Sequence, residues 1–127
     1  MLKPISILIP YKMKENELYL WNQNRINSDY LEFPGGKIEI NESPEDACLR
    51  EIYEEVDVKL KDSDLEFFKT FSFNKDTKKL LVINVFLYKD VLTKFSDKGW
   101  YKAKELYELN IMPNNKIILR ELDKYFQ

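Results

Sequence analysis

The chain has 127 residues, 44% hydrophobic and 33% charged, with net charge −2, one cysteine and no histidine. This suits one domain that buries roughly two-thirds of its unfolded surface, and it excludes a disordered or membrane-spanning chain. It also excludes an internal disulfide, a histidine base and a histidine-bound metal, leaving carboxylates as the obvious chemical actors.

"MLKPISILIPYK" is a short apolar run interrupted by Pro4 and Pro10, so it reads as a first strand rather than a signal peptide. With a single cysteine, Cys48, this predicts a cytoplasmic protein. Ile5 to Tyr11 and Leu18 to Trp21 are β-rich runs on either side of the polar "KMKENE", the pattern of a hairpin. "NQNRINSDY" reads as a polar loop, and Pro34, Gly35 and Gly36 then break any regular structure.

Ser43 is an N-cap, Pro44 suits the first helical position, and Glu45 and Asp46 match the helix dipole. The predicted helix runs from Pro44 to Val56. Wound at ~100° per residue, it gathers Cys48, Leu49, Ile52, Tyr53 and Val56 on one side. Arg50, Glu51, Glu54 and Glu55 fall on the other, with Ala47 among them. Leu65 to Phe73 alternates, with Leu65, Phe67, Phe71 and Phe73 on one predicted face. "NKDTKK" turns the chain into "LLVINVFLY", a nearly continuous apolar run typical of a central strand. "MPNNKIILRELDKYF" reads as a helix with Ile118, Leu122 and Tyr125 on one face and Asn114 as its cap beside Pro113. No repeat or linker divides the chain, so 1–127 is expected to be one mixed α and β domain with two main helices.

Glu51, Glu54 and Glu55 lie within one turn, which destabilises an isolated helix by a few tenths of a kcal/mol per pair. Arg50 offsets part of this. A divalent cation would reverse it, since clustered carboxylates suit hard ions such as Mg²⁺ or Mn²⁺. A solvated acidic face has the same pattern, so charge alone leaves both readings open.

The spacing is more specific. Gly36 is followed after five residues by Glu42, and after seven more by "REIYEEVDV". This resembles the Nudix box, G-x5-E-x7-R-E-U-x-E-E-x-G-U with U aliphatic. Gly36, Glu42, Arg50, Glu51, Ile52, Glu54, Glu55 and Val58 match; Asp57 replaces the second glycine. A glycine after a helix supplies the left-handed conformation, which Asp adopts at a cost of roughly 1 kcal/mol.

The resemblance implies an α+β fold, the Nudix α/β/α sandwich with a central mixed sheet and a catalytic loop-helix-loop. It implies a pyrophosphohydrolase using Mg²⁺, or Mn²⁺. Glu54 and Glu55 would be metal ligands together with the Gly35 carbonyl. Glu51 would be a ligand or the water-activating base, and Arg50 would orient the glutamates through Glu42. Lys37 would touch phosphate or stand as a solvent-exposed lysine, and Cys48 packs in the core. "LEFPGGKIE", Trp100 and "MPNNKII" further resemble the MutT-like branch, which hydrolyses 8-oxo-dGTP and related nucleoside triphosphates. There Asn115 matches an asparagine that reads the purine edge, with Asn114 an adjacent competitor and an exposed Asn115 beside a capping Asn114 the alternative, and Phe33 is a further substrate-binding candidate. The arginine at the end of the second strand has no direct match, and Arg25 substitutes if its loop bends back. Asp97 and Glu105 are the candidates for a later acidic residue.

The expected partner is a nucleoside triphosphate or related nucleotide, with no membrane and no stable nucleic-acid binding, in a monomer or homodimer. The alternatives are a nucleotide sugar, ADP-ribose, a dinucleotide polyphosphate or 5′-triphosphate RNA as substrate, or an inert nucleotide-sensing domain.

Overall fold

Two prolines do not interrupt the first strand, β1 (Leu2–Lys14). The reason lies in its neighbours. β1 pairs in parallel with β7 (Lys79–Lys89) from Leu2 to Tyr11. Its other edge is shared by β5 (Gly35–Lys37), antiparallel at Ile5 to Ile7, and β2 (Glu17–Trp21), antiparallel at Tyr11 to Lys14. Pro4 precedes the first of these pairings and Pro10 falls in the gap between them. A missing N–H is tolerated at such places. The computed structural model describes residues 1–76 and 78–126. Thr77, in the expected "NKDTKK" turn, lies outside the described residues.

The main sheet runs β6-β7-β1-β2-β8, with β6 (Glu66–Asp76) and β8 (Trp100–Lys102) outermost and β5 beside β1. It mixes parallel and antiparallel pairs, as expected. The β1–β2 hairpin turns at Glu15 and Asn16, both left-handed with φ 53° and 62°. That is the two-residue turn whose twist suits a hairpin. β3 (Gln23–Asn24), within the segment expected to be a plain loop, pairs with β4 (Leu31–Glu32) just after it in a small second sheet.

The sheet is covered on both faces. Ile7, Ile9, Val85 and Leu87 join Ile118, Leu119 and Leu122 of α3 (Pro113–Tyr125) in one core. Leu8, Phe86 and Tyr88 join Cys48 and Ile52 of α1 (Pro44–Val56) in the other. Alternate residues of β1 and β7 therefore bury in opposite layers, which explains why "LLVINVFLY" shows no polar spacing. Leu106 of the short α2 (Ala103–Leu106) closes the α3 side.

Three local expectations are corrected. A bulge between Phe67 and Lys69 breaks the alternation of β6. Phe67 therefore packs on Phe86 and is 55% exposed, while Phe71 turns into the opposite core. Tyr53 is 57% exposed, whereas Ala47 is fully buried. The buried stripe of α1 is rotated toward β5, so Ala47 is covered and Glu51 lies against Gly36, while Glu54 and Glu55 remain exposed. Finally, Met112 is the N-cap of α3, without a side-chain cap bond, and Asn114 already lies inside the helix. Pro113 at the first position leaves one fewer donor there to satisfy.

The ends of α1 match the sequence reading. Ser43 accepts a hydrogen bond from the Asp46 N–H at 3.0 Å. Asp57 adopts φ 56°, ψ 37°, and its N–H donates to the Tyr53 carbonyl. Among the described residues, no helix is long and apolar enough to cross a membrane.

Candidate active site

The double glycine brings β5 against β1 and α1 at once. Gly35 has φ 150°, and a Cβ there would lie 2.2 Å from the Ser6 carbonyl oxygen. A Cβ on Gly36 would lie 2.5 Å from the Glu51 carboxyl carbon. At Gly35 only a bare backbone fits against β1, whereas at Gly36 the missing side chain leaves room for the Glu51 carboxylate.

Arg50 organises that helix. Its Nε and Nη2 donate to the two oxygens of Glu42 at 2.7 and 3.0 Å, a bidentate pair. Nη1 donates to Glu51 Oε1 at 2.9 Å and Glu54 Oε1 at 3.0 Å. Nη2 also donates to the Lys37 carbonyl at 3.0 Å, tying the helix to β5. Hydrogen bonds from Arg50 and then from the Glu39 N–H hold the Glu42 carboxyl down at about 2. Glu42 is thus ionised at any physiological pH and clamps the loop before α1.

Glu55 stands apart from Arg50. Its Oε1 accepts from the Gly35 N–H at 3.0 Å and its Oε2 from Gln23 Nε2 at 2.8 Å. Desolvation pushes its carboxyl above the ordinary carboxylate range, and the charges of Glu51 and Glu32 add to this against those two hydrogen bonds. A nearby cation would relieve both effects. Among the described residues, no three acidic, histidine or cysteine side chains converge as a ready metal cage. The oxygen donors of Glu51, Glu54 and Glu55 nevertheless fit a hard divalent cation, and Glu54 is exposed enough to turn.

A cleft of about 760 Å³ opens beside these groups. Ile5, Ile7, Leu81 and Ile83 are among its apolar lining, and Gly35, Gly36, Lys37, Phe33, Arg25 and Asn115 line it as well. Arg25 reaches it because its loop bends back. Its N–H donates to the Tyr30 carbonyl, Asn27 is left-handed at φ 57°, and Nη1 approaches Met112 Sδ at 3.7 Å. Asn115 is only 8% exposed. Neither Asp97 nor Glu105 lines the cleft. Asp97 lies in the loop whose Ser96 and Lys98 carbonyls accept from Trp21 Nε1, and Glu105 is on α2.

Two residues escaped the sequence reading. Glu32 lines the cleft, with its carboxyl raised by burial against the opposing effect of Arg25. Gln23 pairs with Glu32 across β3 and β4. The signal for Glu32 was its place beside the glycines in "LEFPGGKIE"; Gln23 carried none, as one amide in a polar loop.

A NUDIX domain family model matches residues 2–122. A Haemophilus influenzae 8-oxo-dGTP diphosphatase is 40% identical over 58 residues, 46% of this chain and 39% of that protein. An Escherichia coli 8-oxo-dGTP diphosphatase is 64% identical over 28 residues, 22% of each chain. The matches thus span well under half the length of these curated relatives. Among solved structures, Caenorhabditis elegans Ap4A hydrolase superposes with TM-score 0.76 at 14% identity over the whole of both chains. The NUDIX domain of Shewanella oneidensis NrtR, solved with ADP ribose, gives 0.75 at 15%, covering 100% of this chain and 90% of that one. A MutT structure from work on Aliivibrio salmonicida and Vibrio cholerae gives 0.71 at 22%, covering 95% and 96%. At these identities the structural likeness concerns the fold. A family match over nearly the full chain, together with the glycine-strapped, arginine-clamped glutamate helix, leads to one conclusion: the chain belongs to the Nudix family.

Proposed function

We propose that the protein is a Mg²⁺-dependent nucleoside triphosphate pyrophosphohydrolase that releases a nucleoside monophosphate and pyrophosphate, with oxidised dNTPs such as 8-oxo-dGTP as its preferred class. The observation that carries this is the cleft. Its wall includes the Gly35–Gly36 backbone, which packs against Glu51 and bonds Glu55, and also the buried Asn115. A nucleotide calls for both kinds of wall, acidic oxygens to hold a cation at its phosphates and an amide for its base.

Glu51, Glu54, Glu55 and the Gly35 carbonyl would hold the cation, which supplies charge neutralisation and polarises phosphoryl oxygens when bound. Glu51 orients or deprotonates the attacking water. Arg50 holds Glu51 and Glu54 on one side through its clamp to Glu42. Lys37 and Arg25, both cations on the cleft wall, face the phosphates. Asn115 makes no side-chain hydrogen bond to another described residue, so its amide can pair with a donor and an acceptor on a purine edge. Phe33 and the apolar wall exclude water around the base. Mn²⁺ would substitute for Mg²⁺ on the same oxygens. Hydrolysis of 8-oxo-dGTP would cleanse the nucleotide pool, with the protein acting in the cytoplasm as a monomer or homodimer.

The test is pyrophosphate or phosphate release with Mg²⁺ across dNTPs, 8-oxo-dGTP, ADP-ribose, nucleotide sugars, dinucleotide polyphosphates and triphosphorylated RNA. A kcat/KM for 8-oxo-dGTP far above that for dGTP supports the reading, and Asn115→Ala should then collapse the ratio. A best substrate outside the triphosphates keeps the Nudix chemistry and discards this specificity. No turnover of any of them would leave a nucleotide-sensing domain.

A further inference from the structure

Both oxygens of Glu55 are engaged by donors from different segments. The Gly35 N–H of β5 holds Oε1 at 3.0 Å, and the side-chain amide of Gln23 on β3 holds Oε2 at 2.8 Å. Glu51 and Glu54 are instead tied to one another's neighbour, Arg50 Nη1. Gln23 is well placed to act as a fixed donor. The residue before it, Asn22, donates its N–H to the Gly99 carbonyl at 2.8 Å, and Trp21 is anchored through Nε1 to Ser96 and Lys98. On its other side, Gln23 pairs with Glu32. The end of β2 and the start of β3 are thus pinned on both flanks of the amide.

We propose that Gln23 is a positioning residue that presets Glu55 for a divalent cation. This rests on the reading of Glu55 as a metal ligand. A carboxylate oxygen has two acceptor sites, so one donor on each oxygen fixes the plane of the group and still leaves a site on each for a cation. The Gly35 N–H alone leaves the carboxylate free to rotate about a single hydrogen bond. Partners of this kind, one bond removed from the ion, contribute about 10–100-fold to metal affinity or activity. Gln23 supplies that restraint through a neutral amide, without adding charge beside three glutamates.

The experiment titrates Mn²⁺ into the full chain without substrate and counts free ion by electron paramagnetic resonance. Wild type is compared with Gln23→Met, Gln23→Asn and Glu55→Gln. The proposal expects Gln23→Met to bind Mn²⁺ about tenfold more weakly, with unchanged metal-free unfolding and with kcat recovered at saturating Mn²⁺. Gln23→Asn, one methylene too short, should behave alike. Wild-type Mn²⁺ affinity in both Gln23 variants, alongside loss of binding in Glu55→Gln, overturns the role of Gln23 and leaves the ligand reading standing. So does a raised substrate KM with unchanged Mn²⁺ affinity, which would make Gln23 a substrate contact. Undiminished Mn²⁺ binding by Glu55→Gln removes the ligand reading and this proposal with it.

Discussion

At Gly36 the added methyl of an alanine would meet the end of the Glu51 side chain, and that carboxylate can swing aside. Gly36→Ala should therefore leave stability within roughly 1 kcal/mol of wild type while lowering kcat at least tenfold. Denaturant unfolding beside a kinetic assay checks both halves. Gly35→Ala differs, because its Cβ would strike backbone at Ser6 and Ile7 and its φ of 150° disfavours a side chain. It should destabilise by about 1–3 kcal/mol, read as a lower urea midpoint. The two adjacent glycines thus separate a functional from a structural requirement. Sequence spacing identified both, yet only the packing shows which atoms each one spares.

For α1, the two ends act in opposite directions. Ser43→Ala removes the acceptor of the Asp46 N–H and should cost about 1 kcal/mol. Asp57→Gly relieves a left-handed residue and should gain roughly 0.5–1 kcal/mol, with activity unchanged because Asp57 does not line the cleft. Thermal unfolding of the two variants should shift in opposite senses. The helix was legible because its caps, its dipole-matched acids and its box residues are all local. β6 was not fully legible, since its bulge at Phe68 is dictated by pairing with β7. Nor was the exposure of Tyr53, which depends on how α1 is rotated over β5.

Across the molecule, charge couples stability to pH and to metal. The Glu42 carboxyl is lowered from the ordinary 4.5 to about 2 by Arg50 and the Glu39 N–H. Its contribution is complete above about 4.5 and is lost as pH falls through about 2. Glu42→Gln should flatten the acid side of the stability curve in that window, measured by unfolding at a series of pH values. Glu55 has the opposite sign. Its carboxyl is raised, chiefly by desolvation, so its favourable contribution is present below the ordinary value and disappears as pH rises through the raised one. The metal-free Glu55→Gln protein should then melt above metal-free wild type at neutral pH. Added Mg²⁺ should raise the wild-type midpoint more than that of the variant.

The amino-acid sequence alone determined the Nudix family, the glutamate-bearing helix α1 from cap to cap, the mixed α and β class and the roster of box glutamates. These follow from local chemistry: fixed spacings, capping residues and the periodicity of buried faces. Tertiary structure decided the rest. It folded the Arg25 loop back to the cleft, lined the cleft with Glu32 and not with Asp97 or Glu105, moved the α3 cap from Asn114 to Met112, and set Gln23 against Glu55. Each of these joins residues far apart in the chain. Their meeting depends on strand register and on the approach of one backbone to another, which no single stretch of sequence contains.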